Sequence, residues 1–589
     1  MKHVDKYETH DYDVLIIGAG GAGLRAAIAA SAAGLSVGLV CKSLLGKAHT
    51  VMAEGGIAAA LGNVDPADSW EAHFADTMRG GQFLNNWRMA QIFAREAPQR
   101  VLELELWGAA FDRTPEGRIM QRPFGAHSYR RLCHVGDRTG LELIRTLQDE
   151  GVHQGMDVYM ETTLTRLLKD GDRVVGAFGY RRENGRFLVF KAKAVVVATG
   201  GWGKVYKVTS NSWESTGDGL AISYEAGAQL IDMEMVQIHP TGMVWPPGVR
   251  GILVTEAVRG EGGRLLNAEG QRFMERYDPK KMELSSRDVV ARAIFREAEA
   301  GRGTPHGGAW LDVTHLPADR IRKKLPSMCD QFEQLADIDI TREKMEVAPT
   351  VHYAMGGIRV DPETGASSVP GLFAAGEVAA GLHGSNRLGG NSLSDLLVFG
   401  KRAGEGAAAY ARGMQYPSQI DESQIDEEIH TLLAPFESQG TENPYLLHEE
   451  LQDTMQNWVG IRRNEEELEK ALDTVLELQR RAKNLHVEGS RMYNPGWHTC
   501  RDDHFMLEIC EAIVRSAILR KESRGAHWRS DYPDKDDAVL GKVNVVTHRE
   551  GGEMVVETFP LEPMPAEVAE LCKGVTEARW AMTASKEGK

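Results

Sequence analysis

The sequence predicts an α/β fold whose main domain holds a doubly wound parallel sheet and is split by an insertion. Its 589 residues are enough for several packed domains. Short apolar runs, most of them followed at once by glycine, alternate with alanine-rich stretches of helical spacing, as is typical of such a sheet. These runs occupy residues 13–17, 36–41, 194–198 and 372–375. Because the outer two lie more than 350 residues apart, we expect an insertion between them.

The first apolar run leads directly into a glycine-rich turn and a helix predicted from Leu24 to Ala33. In the turn, Gly18 permits the tight bend, Gly20 lets a pyrophosphate approach the backbone, and Gly23 lets the helix pack against the strand. The free N–H groups of the helix N-terminus suit an anion. In this strand–turn–helix context the GxGxxG spacing predicts a dinucleotide site.

The second strand lacks the acidic residue that often binds a ribose in such domains. It ends in Cys41, Lys42 and Ser43, so the ribose contact must come from elsewhere, and this spacing leaves the dinucleotide undecided. Two further glycine-rich segments, 194–201 and 370–377, favour FAD, because both let backbone approach an extended cofactor. Glu377 in the second segment is available for a hydroxyl.

The C-terminal third has a different pattern. Apolar residues recur at three or four positions from 444 to 485, which predicts two amphipathic helices joined near Gly460. A third helix is predicted over residues 505–519. Alternation over 542–547 and 554–559, around the segment 549–552, predicts a hairpin.

Composition narrows the class of protein. The chain carries 68 basic and 84 acidic side chains, and the net charge of −16 opposes nucleic-acid binding. The six cysteines are scattered without a CxxC pair, so the pattern predicts that any zinc site or iron–sulfur cluster lies outside this chain. The charged first residues do not resemble a secretory signal, and a reducing cytoplasm is expected.

No transmembrane segment is expected either. The apolar run 14–41 is interrupted by Arg25 and by glycines. The 16 residues after Arg25 fall short of the roughly 20 that a spanning helix needs.

Several motifs together resemble the flavoprotein subunits of succinate dehydrogenase and fumarate reductase. They follow the order of that family over most of the chain and lie at residues 42–56, 121–125, 137–140, 216–219, 237–242, 255–263, 352–357, 383–393 and 522–527.

The resemblance implies a split FAD-binding, Rossmann-like domain with an α+β capping domain inserted in it, then a helical domain and a small C-terminal domain that contains β-structure. The expected divisions are 1–238 and 353–435 for the FAD-binding domain, 239–352 for the capping domain, 436–537 for the helical domain and 538–589 for the C-terminal domain.

The resemblance also assigns the site residues. His49 matches the covalent ligand of FAD, and the catalytic set is Arg287 with Glu256 and Arg259 as a proton relay. A spacing of three places that pair on one face if the segment is helical. The implied substrate-binding residues are His239, Thr255, His352, Arg387, Gly56 and Phe124. The other implied cofactor-binding residues are Gly18, Ala19, Gly20, Gly21, Gly23, Lys42, Ser43, Thr50, Gly55, Asp218, Glu377, Ser392 and Leu393.

The implied reaction interconverts succinate and fumarate by hydride transfer to N5 of FAD. The implied partners are an iron–sulfur subunit and a membrane anchor that passes electrons to quinone, and the implied location is peripheral, on the cytoplasmic side of the cell membrane.

The sequence departs from the family pattern at two places, which leaves one contact near His49 and the direction of the reaction open. Lys47 and Ala48 stand where the family usually has Arg-Ser, so a contact of that arginine is altered. Glu54 replaces the Gln of aerobic succinate dehydrogenases and resembles the fumarate reductase version, so fumarate reduction remains an alternative direction.

Two different functions also stay open. One is that of L-aspartate oxidase, which generally lacks the histidine, and His49 argues against it. The second is that of a noncatalytic flavin-binding protein, and the converging cations argue against it.

Overall fold

The computed structural model describes residues 6–414 and 419–573, and its secondary structure is mixed α/β. The strands of these residues are β1 Glu8–Ile17, β2 Val37–Val40, β3 Ile57–Ala58, β4 Gln121–Arg122, β5 Leu132–Cys133, β6 Asp157–Tyr159, β7 Thr162–Asp170, β8 Arg173–Arg181, β9 Phe187–Val197, β10 Leu230–Ile231, β11 Val236–Met243, β12 Arg264–Leu266, β13 Ala309–Asp312, β14 Met345–Ala354, β15 Gly357–Ile358, β16 Leu372–Ala374, β17 Val543–Glu550 and β18 Glu553–Pro560. The α-helices are α1 Gly21–Ala32, α2 Trp70–Gly80, α3 Trp87–Leu106, α4 Thr139–His153, α5 Asp218–Glu225, α6 Ala257–Gly260, α7 Met274–Tyr277, α8 Arg287–Glu297, α9 Ala318–Lys324, α10 Pro326–Ala336, α11 Asn391–Gly413, α12 Glu422–Glu437, α13 Pro444–Trp458, α14 Glu465–Ala482, α15 Pro495–Leu519 and α16 Ala566–Glu570.

The main sheet has the strand order β6-β2-β1-β9-β8-β7, and β16 also pairs with β9. The pairs β2–β6, β1–β2, β1–β9 and β9–β16 are parallel. All four predicted strands lie in this sheet, and the two that are farthest apart in sequence both pair with β9. The prediction of a split α/β domain is therefore confirmed.

The sheet differs from the prediction in two respects. Strands β7, β8 and β9 pair antiparallel, so the sheet is mixed rather than wholly parallel. Strand β1 begins at Glu8, five residues before the predicted start, because Glu8–Tyr12 continues the pairing with β9 in register with Leu188–Ala192.

The inserted segment builds a second sheet, of order β11-β14-β13-β12, and packs around a hydrophobic core of its own. That core includes Val254, Phe273, Ile294, Leu311 and Val347, each fully buried. The separate core fits the expected insertion, and the residue numbers at which the domains divide stay a prediction.

Three helices follow as predicted, α13, α14 and α15, and they pack against one another. Helix α15 begins at Pro495, ten residues before the predicted start. Asn494 caps it by accepting a hydrogen bond from Trp497 N (3.1 Å), and proline occupies the first turn, where no N–H is needed.

The predicted hairpin is present as β17 and β18, with a turn of two residues. The structure corrects the predicted four-residue segment 549–552, because Arg549 and Glu550 pair with Met554 and Glu553 and only Gly551 and Gly552 form the turn. Both glycines have positive φ, as a tight hairpin turn requires. The hairpin joins β10 and β15 in one sheet, and residues 574–589 of the predicted C-terminal domain lie outside the described residues.

A buried ion network joins the end of α15 to β10. Arg520 lies within salt-bridge distance of the carboxylates of Asp232, Glu234 and Glu522, and all four side chains are nearly inaccessible to solvent.

Among the described residues, no helix combines the length and apolar character needed to span a bilayer.

Candidate functional site

A cavity of about 420 Å³ lies where the carboxyl ends of the parallel strands meet the inserted segment. The residues that follow β1, β2, β9 and β16 all line it. Open α/β sheets bind their ligands in this position, outside the carboxyl ends of the strands. The cavity is therefore where the fold places its site.

The glycine turn after β1 needs glycine at two positions for steric reasons. A Cβ atom on Gly18, whose φ is +109°, would lie 2.3 Å from the carbonyl oxygen of Ala198. A Cβ atom on Gly23 would lie 1.8 Å from the carbonyl oxygen of Gly18. The turn, the neighbouring strand and helix α1 are thus packed at backbone contact distance.

Two helix N-termini reach the same cavity. Helix α1 follows Gly20 and α11 follows Gly390, and neither glycine can supply a side-chain cap. Ser392 and Leu393, in the first turn of α11, line the cavity together with Gly20. Unsatisfied N–H groups and the helix dipoles favour negative groups at both ends, so the cavity suits an anionic or electron-rich cofactor.

Acidic groups from a distant segment stand near the end of β2. Lys42 Nζ lies 2.6 Å from Asp502 Oδ1 and 3.7 Å from Asp218 Oδ2. Glu214, beside Lys42 and Ser43, also lines the cavity, and burial raises the pKa of its carboxyl. Asp218 and Glu214 are thus the carboxyls that the structure brings to the place where the second strand lacks one.

Glu377 lines the cavity at the end of β16. Its Oε1 accepts a hydrogen bond from Ala354 N at 3.0 Å. Burial raises the pKa of this carboxyl to about 7.

His49 is held by two residues from a segment about 160 positions away. Ser212 N donates to His49 Nδ1 at 3.3 Å, and the amide nitrogen of Asn211 lies 3.3 Å from Nε2. Burial lowers the pKa of His49 to about 4, so the imidazole is neutral and keeps a lone pair at physiological pH. The next residue, Thr50, places its hydroxyl oxygen 3.3 Å from Gly21 N, at the start of α1.

Phe124 is confined between two glycines. A Cβ atom on Gly55 would lie 2.9 Å from the ring, and one on Gly389 would lie 2.4 Å from it. Gly56, with φ +124°, passes close to the carbonyl oxygen of Cys133. Glycine is needed at these positions because the aromatic ring and the backbone leave no room for a side chain.

Two histidines form one wall of the cavity. The rings of His239 and His352 lie 5.1 Å apart, and Ser210 Oγ lies 2.8 Å from His352 Nδ1. Burial, reinforced by the charge of Arg287, holds the pKa of both imidazoles well below the ordinary value. They therefore act as neutral hydrogen-bonding groups.

Two arginines share one neutral acceptor. Arg287 Nη1 and Arg387 Nη2 donate to Gln237 Oε1 at 3.0 Å and 3.1 Å. Arg387 also stacks on the ring of Tyr353 at 4.4 Å, and its Nε is buried without a partner among the described residues. Burial and the charge of Arg287 lower the pKa of Arg387 to about 9.

Glu256 is a carboxylate in contact with two arginines. Arg287 Nε donates to Glu256 Oε2 at 2.9 Å, Arg259 Nη2 lies 3.5 Å from the same oxygen, and Gly125 N donates to Oε1 at 2.8 Å. Burial raises its pKa, but Arg259 and Arg287 outweigh burial and hold the pKa below its ordinary value. Glu256 directly precedes α6 and Arg259 lies within it, so the pair meets across one helical turn.

The carboxyl of Glu54 differs from that of Glu256, because its pKa is raised and not lowered. Burial and the nearby charge of Asp137 hold its pKa well above the ordinary value, which favours the protonated carboxyl. It interacts with Thr255, and its Oε2 is buried without a partner among the described residues.

The structure brings nearly all predicted site residues to this one cavity. Every predicted site residue lines the cavity except Gly23 and Arg259, which are not part of the lining. Sequence reasoning missed Asn211, Ser212, Gln237 and Glu214. Gln237 lay within a motif already identified, and the other three carried no local signal.

Comparison with known proteins identifies two family models in this chain. Residues 13–393 match the FAD binding domain, and residues 448–571 match the fumarate reductase flavoprotein C-terminal family. The first match extends from the first strand of the main sheet to the start of α11, and it includes the inserted segment.

Individual relatives are similar over almost their full length. One subunit of the fumarate reductase (CoM/CoB) of Methanothermobacter marburgensis is 47% identical over 528 residues, which is 90% of this chain and 95% of the relative. The succinate dehydrogenase flavoprotein subunit of Rickettsia bellii is 36% identical over 573 residues, covering 94% of this chain and 95% of the relative. A solved structure of Mycobacterium smegmatis Sdh1 in complex with UQ1 is 54% identical, covers 97% of this chain and 98% of that one, and has a TM-score of 0.88.

The packing of the glycine turn predicts a steric effect on cofactor binding. In Gly23→Ala the new Cβ collides with the Gly18 carbonyl, and we expect flavin retention to fall at least about tenfold, corresponding to a clash of about 1.4 kcal/mol or more. The measurement is flavin absorbance per protein after gel filtration. Gly413→Ala is the matched control, since Gly413 is also helical and a Cβ there meets open space. Equal retention in both variants would contradict the assignment of this turn.

Proposed function

The chain belongs to the succinate dehydrogenase and fumarate reductase flavoprotein family, and we propose that it interconverts succinate and fumarate in the cavity described above. The FAD-binding domain makes it an FAD-dependent oxidoreductase. The glycine turn, the two helix N-termini and the small residues after β9 and β16 fit an extended, anionic dinucleotide.

The observation that carries the proposal is the charge balance at the end of the cavity nearest the insertion. Arg259, Arg287 and Arg387 are buried there, and Glu256 is the ionised carboxylate that faces them. Guanidinium groups keep their protons at neutral pH, and the raised pKa of Glu54 favours its uncharged form. About two positive charges therefore remain, which a dicarboxylate dianion would balance.

The residues of this end of the cavity would bind and orient the dianion. Arg387, whose Nε has no partner among the described residues, and the neutral groups of His239, His352 and Thr255 suit its carboxylates. Bound FAD would supply the hydride acceptor, N5. Rigid binding matters because the C–H bonds next to a carboxylate are weakly acidic and the reacting carbon must be held in place.

Arg287 is proposed to move the proton. In succinate oxidation Arg287 would release its Nε proton to Glu256, which is ionised because Arg259 and Arg287 keep its pKa low, and would take a proton from the substrate in its place. Fumarate reduction would use the same contacts in reverse.

Arg287→Lys tests this proton path. Lysine keeps the positive charge but not the forked geometry that contacts Glu256 and Gln237 together, so we expect kcat to fall about 10²- to 10⁴-fold while KM changes less. The control is Arg296→Lys, an exposed position on the same helix. Near-normal turnover with unchanged substrate affinity in Arg287→Lys would reject the relay and leave Arg287 as a carboxylate ligand.

We also propose that FAD is attached covalently through His49. The neutral imidazole, with its low pKa, has a lone pair that can form a C–N bond to the flavin methyl carbon. The net change replaces one methyl C–H and the imidazole N–H by that bond. Two electrons and two protons then leave to the acceptor that reoxidises the flavin during turnover.

Acid precipitation tests the attachment. We expect the yellow colour to stay with the protein pellet of the wild type and to appear in the supernatant of His49→Ser. The control is His430→Ser, which changes an exposed histidine on α12. A colourless wild-type pellet would contradict the covalent bond and favour an L-aspartate oxidase type of flavoenzyme.

Fumarate reduction is the second candidate for the physiological direction, and Glu54 is the residue that favours it. A protonated carboxyl at this position can donate a hydrogen bond to a substrate carboxylate. Succinate oxidation and fumarate reduction, compared across electron acceptors and donors, would distinguish the two directions.

The pH dependence of KM should identify the Glu54 carboxyl. Because its pKa is raised, Glu54 keeps its proton to higher pH than an ordinary carboxyl and then ionises as pH rises further, after which it repels the dianion. We expect the KM of the wild type for succinate to rise with pH by up to about tenfold per unit, and Glu54→Gln to lack this rise. Identical profiles would contradict a raised pKa for Glu54.

The proposed partners are an iron–sulfur subunit and a membrane anchor that passes electrons to quinone, with this chain peripheral on the cytoplasmic side of the cell membrane. The relatives support this proposal, since they are described as subunits and the Mycobacterium smegmatis structure contains UQ1. Copurification of an iron–sulfur subunit from detergent-treated membranes would test it.

A further inference from the structure

The amide of Gln237 stands at the centre of a hydrogen-bond chain that extends beyond the cavity. Its Oε1 accepts from Arg287 and Arg387, and its Nε2 donates to Asn386 Oδ1 at 2.8 Å and to the carbonyl oxygen of Arg387 at 2.7 Å. Asn386 Nδ2 in turn donates to Asp288 Oδ1 at 2.9 Å. Every polar atom of the Gln237 side chain is thus paired.

Asp288, at the end of this hydrogen-bond chain outside the cavity, determines which group donates and which accepts in each bond. An ionised carboxylate can only accept hydrogen bonds, so Asp288 forces Asn386 to present its NH₂ group outward and its oxygen inward. The inward oxygen forces Gln237 to present its own NH₂ group to Asn386, which leaves its oxygen for the two guanidiniums. A reversed Gln237 amide would point N–H groups at two cations and its oxygen at two acceptors.

Both ends of this hydrogen-bond chain are held by the segment 522–527, a motif without a role in the proposed reaction. Arg292, on the same helix as Asp288, lies 3.2 Å from Asp288 Oδ2 and donates to the carbonyl oxygen of Gly525. Ala526 N donates to the carbonyl oxygen of Ser385 at 2.9 Å, in the loop that carries Asn386 and Arg387. The segment therefore ties helix α8 to that loop.

We propose that Asp288 is a positioning residue that fixes the orientation of the Gln237 amide through Asn386 and so holds Arg287 and Arg387 at their shared acceptor. The inference rests on the proposed function, because those two arginines are its proton-transfer and carboxylate-binding groups. Asp288 itself stays outside the cavity lining.

The test is a reciprocal exchange of the two side chains. In Asp288→Asn the side chain at 288 can donate as well as accept, so it no longer fixes Asn386 as the hydrogen-bond donor. In Asn386→Asp two carboxylates come into contact. We expect each single variant to lower kcat/KM about tenfold. The double variant Asp288→Asn with Asn386→Asp restores an acceptor for Gln237 and a donor–acceptor pair behind it, so we expect it to recover to within about threefold of the wild type.

Asp319→Asn is the matched control, because Asp319 also lies in the first turn of a helix of the inserted segment but is exposed. If Asp288 had only a structural role, the losses of kcat/KM in the two single variants would add in the double variant, and that result would overturn the proposal. So would a single variant that behaves like the control.

Unfolding measurements separate this inference from the proposed function. In the flavin-loaded protein, the double variant should lose less free energy of unfolding than the sum of the two single variants. We expect this favourable coupling whether or not succinate is turned over. Coupling without succinate or fumarate turnover would reject the proposed function and keep the network. Turnover without coupling in either measurement would reject the network alone.

Discussion

The site depends on keeping three guanidinium groups buried with one ionised carboxylate among them. Taking charges out of water costs several kcal/mol per ion, even after the protein relaxes. The fold reduces that cost with neutral partners: the Gln237 carbonyl accepts from two of the arginines, and the Tyr353 ring lies under Arg387. This uncompensated charge is the basis of the proposal that the cavity binds a dianion.

The arginines come from separate parts of the chain, so the insertion and the main domain both contribute to the site. Arg259 and Arg287 belong to the inserted segment, with its own core, whereas Arg387 follows the return of the chain to the main sheet. Asp137 joins the two parts by accepting from the N–H and the hydroxyl of Ser327, both at 2.9 Å, at the start of α10. The same carboxylate contributes to the raised pKa of Glu54, so one side chain both contacts the insertion and influences the charge state of the cavity.

Local chemistry made part of this arrangement predictable from sequence. The glycine turn and the hairpin each depend on neighbours a few residues away, so spacing was enough to predict them, and short apolar runs identified the strands of the main sheet. The start of α15 also carried a signal, Asn494 before Pro495, which apolar periodicity alone overlooked. The contacts of His49 with Asn211 and Ser212 could not be predicted, because about 160 residues separate them and neither partner belongs to a motif.

The choice of a neutral amide at position 237 follows from the same charge balance. A carboxylate there would cancel one of the two free positive charges and weaken the attraction for a dianion. The Arg520 network shows the opposite case, because its three carboxylates face two guanidiniums, Arg520 and the Arg524 that binds Glu522. Burial, reinforced by Asp232, raises the pKa of Glu234 there. Excess negative charge of that kind can be removed by binding protons. Excess guanidinium charge cannot, since arginine keeps its proton over the physiological range, and this is why we propose a dianionic ligand for the cavity.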